Sequence, residues 1–447
     1  MPGTLPVDSS GRLPGMTSTL SPRYRSPSGW NALLSAHNGT PLTSDLEADV
    51  IVVGAGYTGL AAARCWAELE PDASVLVLEA LTLGEGNPGR NSGFLLEVAM
   101  AEDADASAVA RLTECNALLA ETMAELNRLV ADSGQPCDLA RRGTYRAAVG
   151  DAARKSLAGY RRFLDAAGLP YAVLDRQALA ARIGTRFYAE GLYSPDCYLV
   201  QPAALIRALA VTLPANVQIR EQACVDKLVK ERGGWRLTVG GHQLRAKQVL
   251  LANNAFAKTL HGGAGRVVAM FTSAGITEPL SATDIADLGS DDNWGLLPAH
   301  RLGATLRRTS DGRLLVRTFH SYEQEEDPDR LPGRLREYLR CRFPGVTLPD
   351  FVSVWSGAVG YTQGGGPHWG ALDEGLWVSA GCNGGGVVKG TLFGRALAER
   401  ALGVETCDVD RLFGAARWLP PDPLRRVGYQ LAAGWEARAG SAEALGR

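Results

Sequence analysis

The residues with the clearest chemistry are Gly54-Ala55-Gly56-Tyr57-Thr58-Gly59, a GxGxxG spacing at the end of the apolar run Val50–Val53. In such a unit the first glycine makes a tight turn, and the second lets a pyrophosphate approach the bare backbone. The third lets the following helix pack closely on the strand. The helix start presents unpaired N–H groups and the positive end of its dipole to the phosphates. A second apolar run, Val75–Leu78, ends at Glu79. That carboxylate, about 20 residues past the last glycine, is placed to accept hydrogen bonds from both hydroxyls of a ribose. Alone, the glycines would mark only a turn. With strand, helix, second strand and acid in order, they predict a dinucleotide site.

Two later glycine patterns narrow the dinucleotide. Gly89-Arg90-Asn91-Ser92-Gly93 lies just past Glu79, where the chain must cross the cofactor cleft. Arg90 would offset pyrophosphate charge, and Gly89 and Gly93 would let the backbone come close. Near the C-terminus, Gly381-Cys382-Asn383-Gly384-Gly385-Gly386 sits between a strand pattern and a helix pattern. That is a second helix start, suited to negative charge at the N1/C2 edge of a reduced flavin. The plainer readings are a surface loop for the first and a tightly packed helix entry for the second. In this order and separation the set favours FAD over NAD.

The elements around these motifs are readable in outline. The 447 residues are 46% hydrophobic and 21% charged, which fits two intimately packed domains. Residues 1–44, rich in Pro, Ser, Gly and Thr, read as an extended or partly disordered arm pinned at Trp30. A helix is expected from Thr58 to about Glu70, and others in ALLAETMAELNRLV and QPAALIRALAVTL. Strands are expected in RRGTYRAAV, VVAMFTSAGITEPL, GRLLVRTF, FVSVWSGAVGYT and GLWVSAG. The formal net charge of −2 recruits neither nucleic acid nor an anionic membrane surface. The eight cysteines are scattered without paired spacing, which speaks against a disulfide framework or a metal site and for a reducing, cytoplasmic setting. The N-terminus lacks the order of a signal peptide, and no stretch approaches the roughly 20 apolar residues of a membrane helix. The expectation is a soluble protein.

Together the motifs resemble the D-amino-acid-oxidase-type FAD-dependent oxidoreductases, near the glycine, sarcosine and γ-glutamylputrescine oxidases. The resemblance runs from about Asp49 to Arg425. It rests on DVIVVGAGYTGLAAA, GRNSGF, LVQPAALIRAL, VLLANNAF, TEPL, RRTSDGRLL and VSAGCNGGGVVKGTLFGRALAE. It implies an α/β fold: a Rossmann-type FAD-binding domain and a second, α+β substrate domain with a mostly antiparallel sheet. The implied division is 45–95, 200–263 and 354–440 for FAD, and 96–199 and 264–353 for substrate. It also implies FAD held by Gly54, Gly56, Tyr57, Thr58, Gly59, Glu79, Ala80 and the Gly89–Gly93 loop. Val225, Asn253, Gly357 and the Gly384, Gly385, Gly386, Val387 turn complete the implied set. Departures bear on the reaction. The stretch Trp355–Thr362 holds no cysteine, so the flavin is expected to be non-covalent, and Gly385 stands where relatives have a histidine. Lys389 falls one position later than the relatives' lysine, and Arg317-Thr318-Phe319-His320 replaces small residues.

The chemistry the resemblance implies is oxidation of the C–N bond of a small amine or amino acid by hydride transfer to flavin N5. The product is an imine, with O2 or another acceptor closing the cycle. This needs a near-attack distance of about 3–3.5 Å and a dry pocket, but no dedicated acid–base pair. A substrate carboxylate calls for a cation, and Arg317, Arg308 and Lys389 are the candidates. Trp355, Tyr361 and Trp369 are candidate pocket walls with core packing as the plainer role, while His320, His368 and Asn254 read as structural. Alternatives are a dehydrogenase, a monooxygenase, or a subunit using FAD for structure or electron transfer. No second strand-GxGxxG-helix unit is present to bring in a nicotinamide. Oligomeric state is left open.

Overall fold

The computed structural model describes residues 22–97, 109–260 and 265–445. Its first 8-stranded sheet is built on parallel strands, in spatial order Val217–Arg220, Val75–Leu78, Leu46–Val53, His242–Leu251 and Leu376–Ala380. Val75–Leu78 and the last residues of Leu46–Val53 are wholly buried, as unbroken apolar strands covered on both faces must be. His242–Leu251 serves two neighbours on one side. Its first half pairs antiparallel with Gly234–Val239, and Val249–Leu251 run parallel to Leu376–Val378.

The helices Tyr57–Leu69 and Val388–Ala401 cross on this sheet at missing side chains. A Cβ on Gly394 would stand 2.0 Å from the Thr58 carbonyl oxygen, and one on Gly390 2.9 Å from Thr58 Oγ1. Being one helical turn apart, these glycines share a face and admit the partner backbone. The starts of both helices therefore lie side by side.

The second 8-stranded sheet runs Phe351–Thr362, Val267–Thr277, Leu314–Tyr322, Thr305–Arg308, Trp294–Pro298, Thr144–Ala148, Glu190–Ser194, Ala172–Asp175. Every pairing is antiparallel except that of Trp294–Pro298 with Thr144–Ala148. This is the expected architecture of a Rossmann-type unit with a mostly antiparallel partner sheet. The division expected at 354 falls inside one continuous edge strand of the second sheet.

The arm is expected to be extended or partly disordered and pinned at Trp30. Residues 1–21 lie outside the described residues, but from Pro22 onward the segment is docked rather than loose. Trp30 is 2% exposed, and its indole N–H donates to Asn91 O at 2.7 Å. Gly29 lies against the Trp355 ring so closely that a Cβ would be 2.2 Å from it. Ser28 donates its hydroxyl to Gly89 O and its N–H to Glu85. The arm's composition and lack of a sustained period suggest an extended or partly disordered segment; its polar groups satisfy loop groups that would otherwise be buried without partners.

Candidate active site

A cavity of about 280 Å³ is lined from both sheets. Gly54, Gly56, Tyr57 and Thr58 reach it from the first helix start, and Gly384, Gly385, Gly386, Val387 and Lys389 from the second. Glu79, Ala80, Val225, Asn253 and Gly357 also face it, with Arg90, Asn91 and Ser92 from the loop. The second sheet contributes Thr272, Leu297, Thr305 and Arg317.

The geometry gives each part of the first motif a cause. Gly54 has φ +105°, open to glycine at little cost. Gly59 lies behind the turn, where a Cβ would be 1.8 Å from Gly54 O, so its part is helix packing. Glu79 accepts the Ala55 N–H at 3.0 Å and the Leu81 N–H at 3.1 Å, which fixes its carboxylate at the cleft. Burial raises its pKa, and those backbone N–H groups and that of Ala80 work against the rise. Ser92 Oγ and Asn253 Oδ1 are buried at the cavity and have no hydrogen-bond partner among the described residues. Two helix starts, a ribose-type carboxylate and two orphaned polar atoms fit FAD, and such orphans call for a ligand.

Three loop expectations need correcting. Gly89 and Gly93 do not line the cavity. A Cβ at 89 would be 1.9 Å from Gly84 O, and one at 93 would be 2.1 Å from Arg307 Nη1, so both serve protein packing. Arg90 does line the cavity, but its guanidinium is spent on the protein. It donates to Glu85 O, Ser356 O and Ser26 O, pairs with the Glu85 carboxylate, and lies 3.8 Å over the Tyr24 ring. Its charge is used on the loop and arm rather than held out to phosphate.

The substrate candidates separate by face. Thr305 faces the cavity, so alternation along Thr305–Arg308 turns Arg308 to the opposite side with Leu306. There its Nη1 donates to Asp291 O, and Arg308 is withdrawn as a substrate ligand. Arg317 does face the cavity. Its Nε donates to Thr272 Oγ1 at 2.9 Å, and among the described residues it has no ion pair. Burial pulls its pKa below the usual guanidinium value. The strand carries a bulge here: Thr272 pairs with His320 and Ser273 with Thr318, leaving Phe319 extra at φ +56°. The extra residue re-phases the strand, so His320 follows Arg317 onto the same face while Phe319 packs on Tyr338. Burial, then the Arg317 charge, lowers the His320 imidazole to about 4. Lys389, 7% exposed, lines the cavity in the first turn of its helix.

Of the aromatic candidates, none lines the cavity. Trp355 is core beside Trp30, Trp369 donates to Phe393 O, and the Tyr361 hydroxyl stands beside Gly384. Asn254, at φ +47°, accepts the Gly381 N–H at 2.8 Å and donates to the Cys382 thiol, which pins the second glycine turn. Sequence reasoning missed Pro22, Tyr24, Asn87, Cys224 and Phe94, all on the cavity. Asn87 had a readable signal, an Asn-Pro turn inside the Gly-rich loop; Tyr24 had none.

Compared with known proteins, residues 49–400 match the family described as FAD dependent oxidoreductase, DAO. The chain belongs to this family. Among its relatives, a probable oxidoreductase OrdL of Haemophilus influenzae is 27% identical over 384 residues, covering 81% of this chain and 85% of the relative. Gamma-glutamylputrescine oxidoreductase of Escherichia coli is 28% identical over 391 residues, covering 86% and 89%. Glycine oxidase of Geobacillus kaustophilus superposes with a TM-score of 0.71 at 21% identity, over 84% of this chain and all of that one. That last likeness shows a shared DAO-type fold. As a member of the family, the chain is an FAD-dependent oxidoreductase.

Proposed function

We propose that this FAD-dependent oxidoreductase oxidises the C–N bond of a small amine that carries a carboxylate, with O2 as acceptor. The observation that carries the reading is Arg317, a cavity-facing guanidinium with no ion pair among the described residues. Burying an unpaired cation is costly, and a carboxylate that takes its Nη groups in a bidentate pair offsets that cost. Thr272 fixes the plane of the guanidinium through Nε, which leaves Nη1 and Nη2 for the substrate. The names of the relatives agree with this class, one acting on gamma-glutamylputrescine and another on glycine. FAD would be held by the Gly54–Thr58 turn, Glu79, Ser92, Asn253 and the Gly384–Val387 turn, and supplies the two-electron acceptor. Phe94, Leu297 and Val387 exclude water from the reacting carbon. Lys389 places a cation opposite the second sheet, where it orients the substrate or holds a water for O2 reduction.

The test is a spectroscopic screen. Purified protein should show a flavin spectrum that bleaches anaerobically with one or more amino acids and yields peroxide in air. Bleaching without peroxide indicates a dehydrogenase. Bleaching by reduced nicotinamide alone indicates a monooxygenase, and either result overturns the oxidase reading.

A further inference from the structure

The family match begins at residue 49, yet Pro22 and Tyr24 line the same cavity as the glycine motifs. We propose that the docked arm is part of the cofactor site: Tyr24 closes the cleft over the adenosine half of FAD and slows its release. This rests on the cleft being the FAD site.

The arm is attached where it matters. The Tyr24 hydroxyl donates to Asn87 Oδ1 at 2.5 Å, and the same oxygen accepts the Ala358 N–H at 2.7 Å. One amide thus ties the arm, the Gly-rich loop and the edge strand of the second sheet together. The Tyr24 ring lies over the Arg90 guanidinium, whose Nη2 also donates to Ser26 O. This gives the buried Arg90 an occupation that the phosphates do not need to supply: it is the arm's anchor. Trp30 and Ser28 then hold the carbonyls of Asn91 and Gly89, so the loop that presents Asn91 and Ser92 to the cavity is braced from the arm side. The end of the cleft is indicated by neighbours. Tyr24 donates to Asn87, and a Cβ on the preceding Gly86 would stand 3.5 Å from Glu79 Oε1, while Pro22 lines the same cavity as Cys224 and Val225. Glu79 is the ribose carboxylate of the motif, so Pro22–Tyr24 lie toward the adenosine end.

A cover that must lift before the ligand leaves lowers the release rate without touching the reacting ring. The experiment uses the full-length holoprotein. Tyr24→Ala should release FAD at least about tenfold faster than wild type on dilution with a flavin scavenger, followed by recovery of flavin fluorescence. Tyr24→Phe keeps the ring and should stay within about threefold. In the apoprotein, Tyr24→Ala should weaken ADP binding and leave riboflavin binding unchanged. Equal release by Tyr24→Ala and wild type overturns the proposal, as does an equal loss of ADP and riboflavin affinity. A second measurement needs no variant: trypsin should cut wild type after Arg23 and Arg25 more slowly with FAD bound than without, and equal rates count against the cover. A wild type that takes up no FAD at all would instead overturn the FAD site itself.

Discussion

Arg317 and Arg308 lie on adjacent antiparallel strands, and only the face of the sheet distinguishes their chemistry. Arg308 hydrogen-bonds a backbone carbonyl away from the cavity, whereas Arg317 reaches the lumen and has no ion pair among the described residues. Replacing Arg317 by Met should raise KM for a carboxylate-bearing substrate by about 10–100-fold, the worth of a charge-assisted pair. An amine of the same shape without the carboxylate should be nearly unaffected, and steady-state kinetics on the pair of substrates checks this. Glu79→Ala should weaken FAD retention far more than Lys389→Met, since in the proposed site Glu79 holds the ribose and Lys389 does not. Equal flavin loss in the two purified variants would contradict the assignment. His320 makes a pH prediction. Its folded pKa of about 4 lies below the ordinary histidine value of about 6.5, so the unfolded chain binds more protons between them. The contribution of neutral His320 is complete above about pH 6.5 and is lost as pH falls toward 4. Melting temperatures between pH 7 and pH 5 should therefore fall less in His320→Gln than in wild type.

At the scale of elements, the two helix starts meet because Gly390 and Gly394 leave room for Thr58. Gly394→Ala forces a Cβ into a backbone carbonyl and should destabilise by about 1–3 kcal/mol or more, with weaker FAD retention. Gly428, in the helix Leu424–Ala439, has nothing within 4 Å of its would-be Cβ. Gly428→Ala should be neutral or stabilising by up to about 1 kcal/mol, and thermal melts of the two variants make the comparison. These crossing glycines were visible in the sequence as GTLFG, but not their partner. What was legible was local: a turn between a buried strand and a helix carries its physics in consecutive residues, which is why Gly54–Gly59 and Glu79 were readable. The bulge at Phe319 was not, because an extra residue shows only against the strand it pairs with. Without it, His320 would point to the other side. Arg90 and Gly93 misled for a related reason. Their types suited a phosphate loop, but their partners, Ser356, Ser26 and Arg307, come from distant parts of the chain.

Across the whole molecule, the cavity draws walls from both sheets and from the arm, so no single unit encloses it. A ligand that bridges those parts binds only the assembled form, and FAD should raise the melting temperature in proportion to the logarithm of its concentration. Differential scanning fluorimetry of apoprotein with added FAD tests this; an unchanged midpoint would mean that FAD does not bind the folded form. Among the described residues, no helix is long and apolar enough to cross a membrane.

The tie between Tyr24, Asn87 and Ala358 also sets an order of events during synthesis. The arm is made long before the edge strand Phe351–Thr362 that completes its berth. The strand Leu376–Ala380 and the Gly384–Val387 turn, which line the same cleft, are made later still. The arm thus waits through most of the chain for the partner that fixes it, and the cofactor's own berth is finished only after that partner.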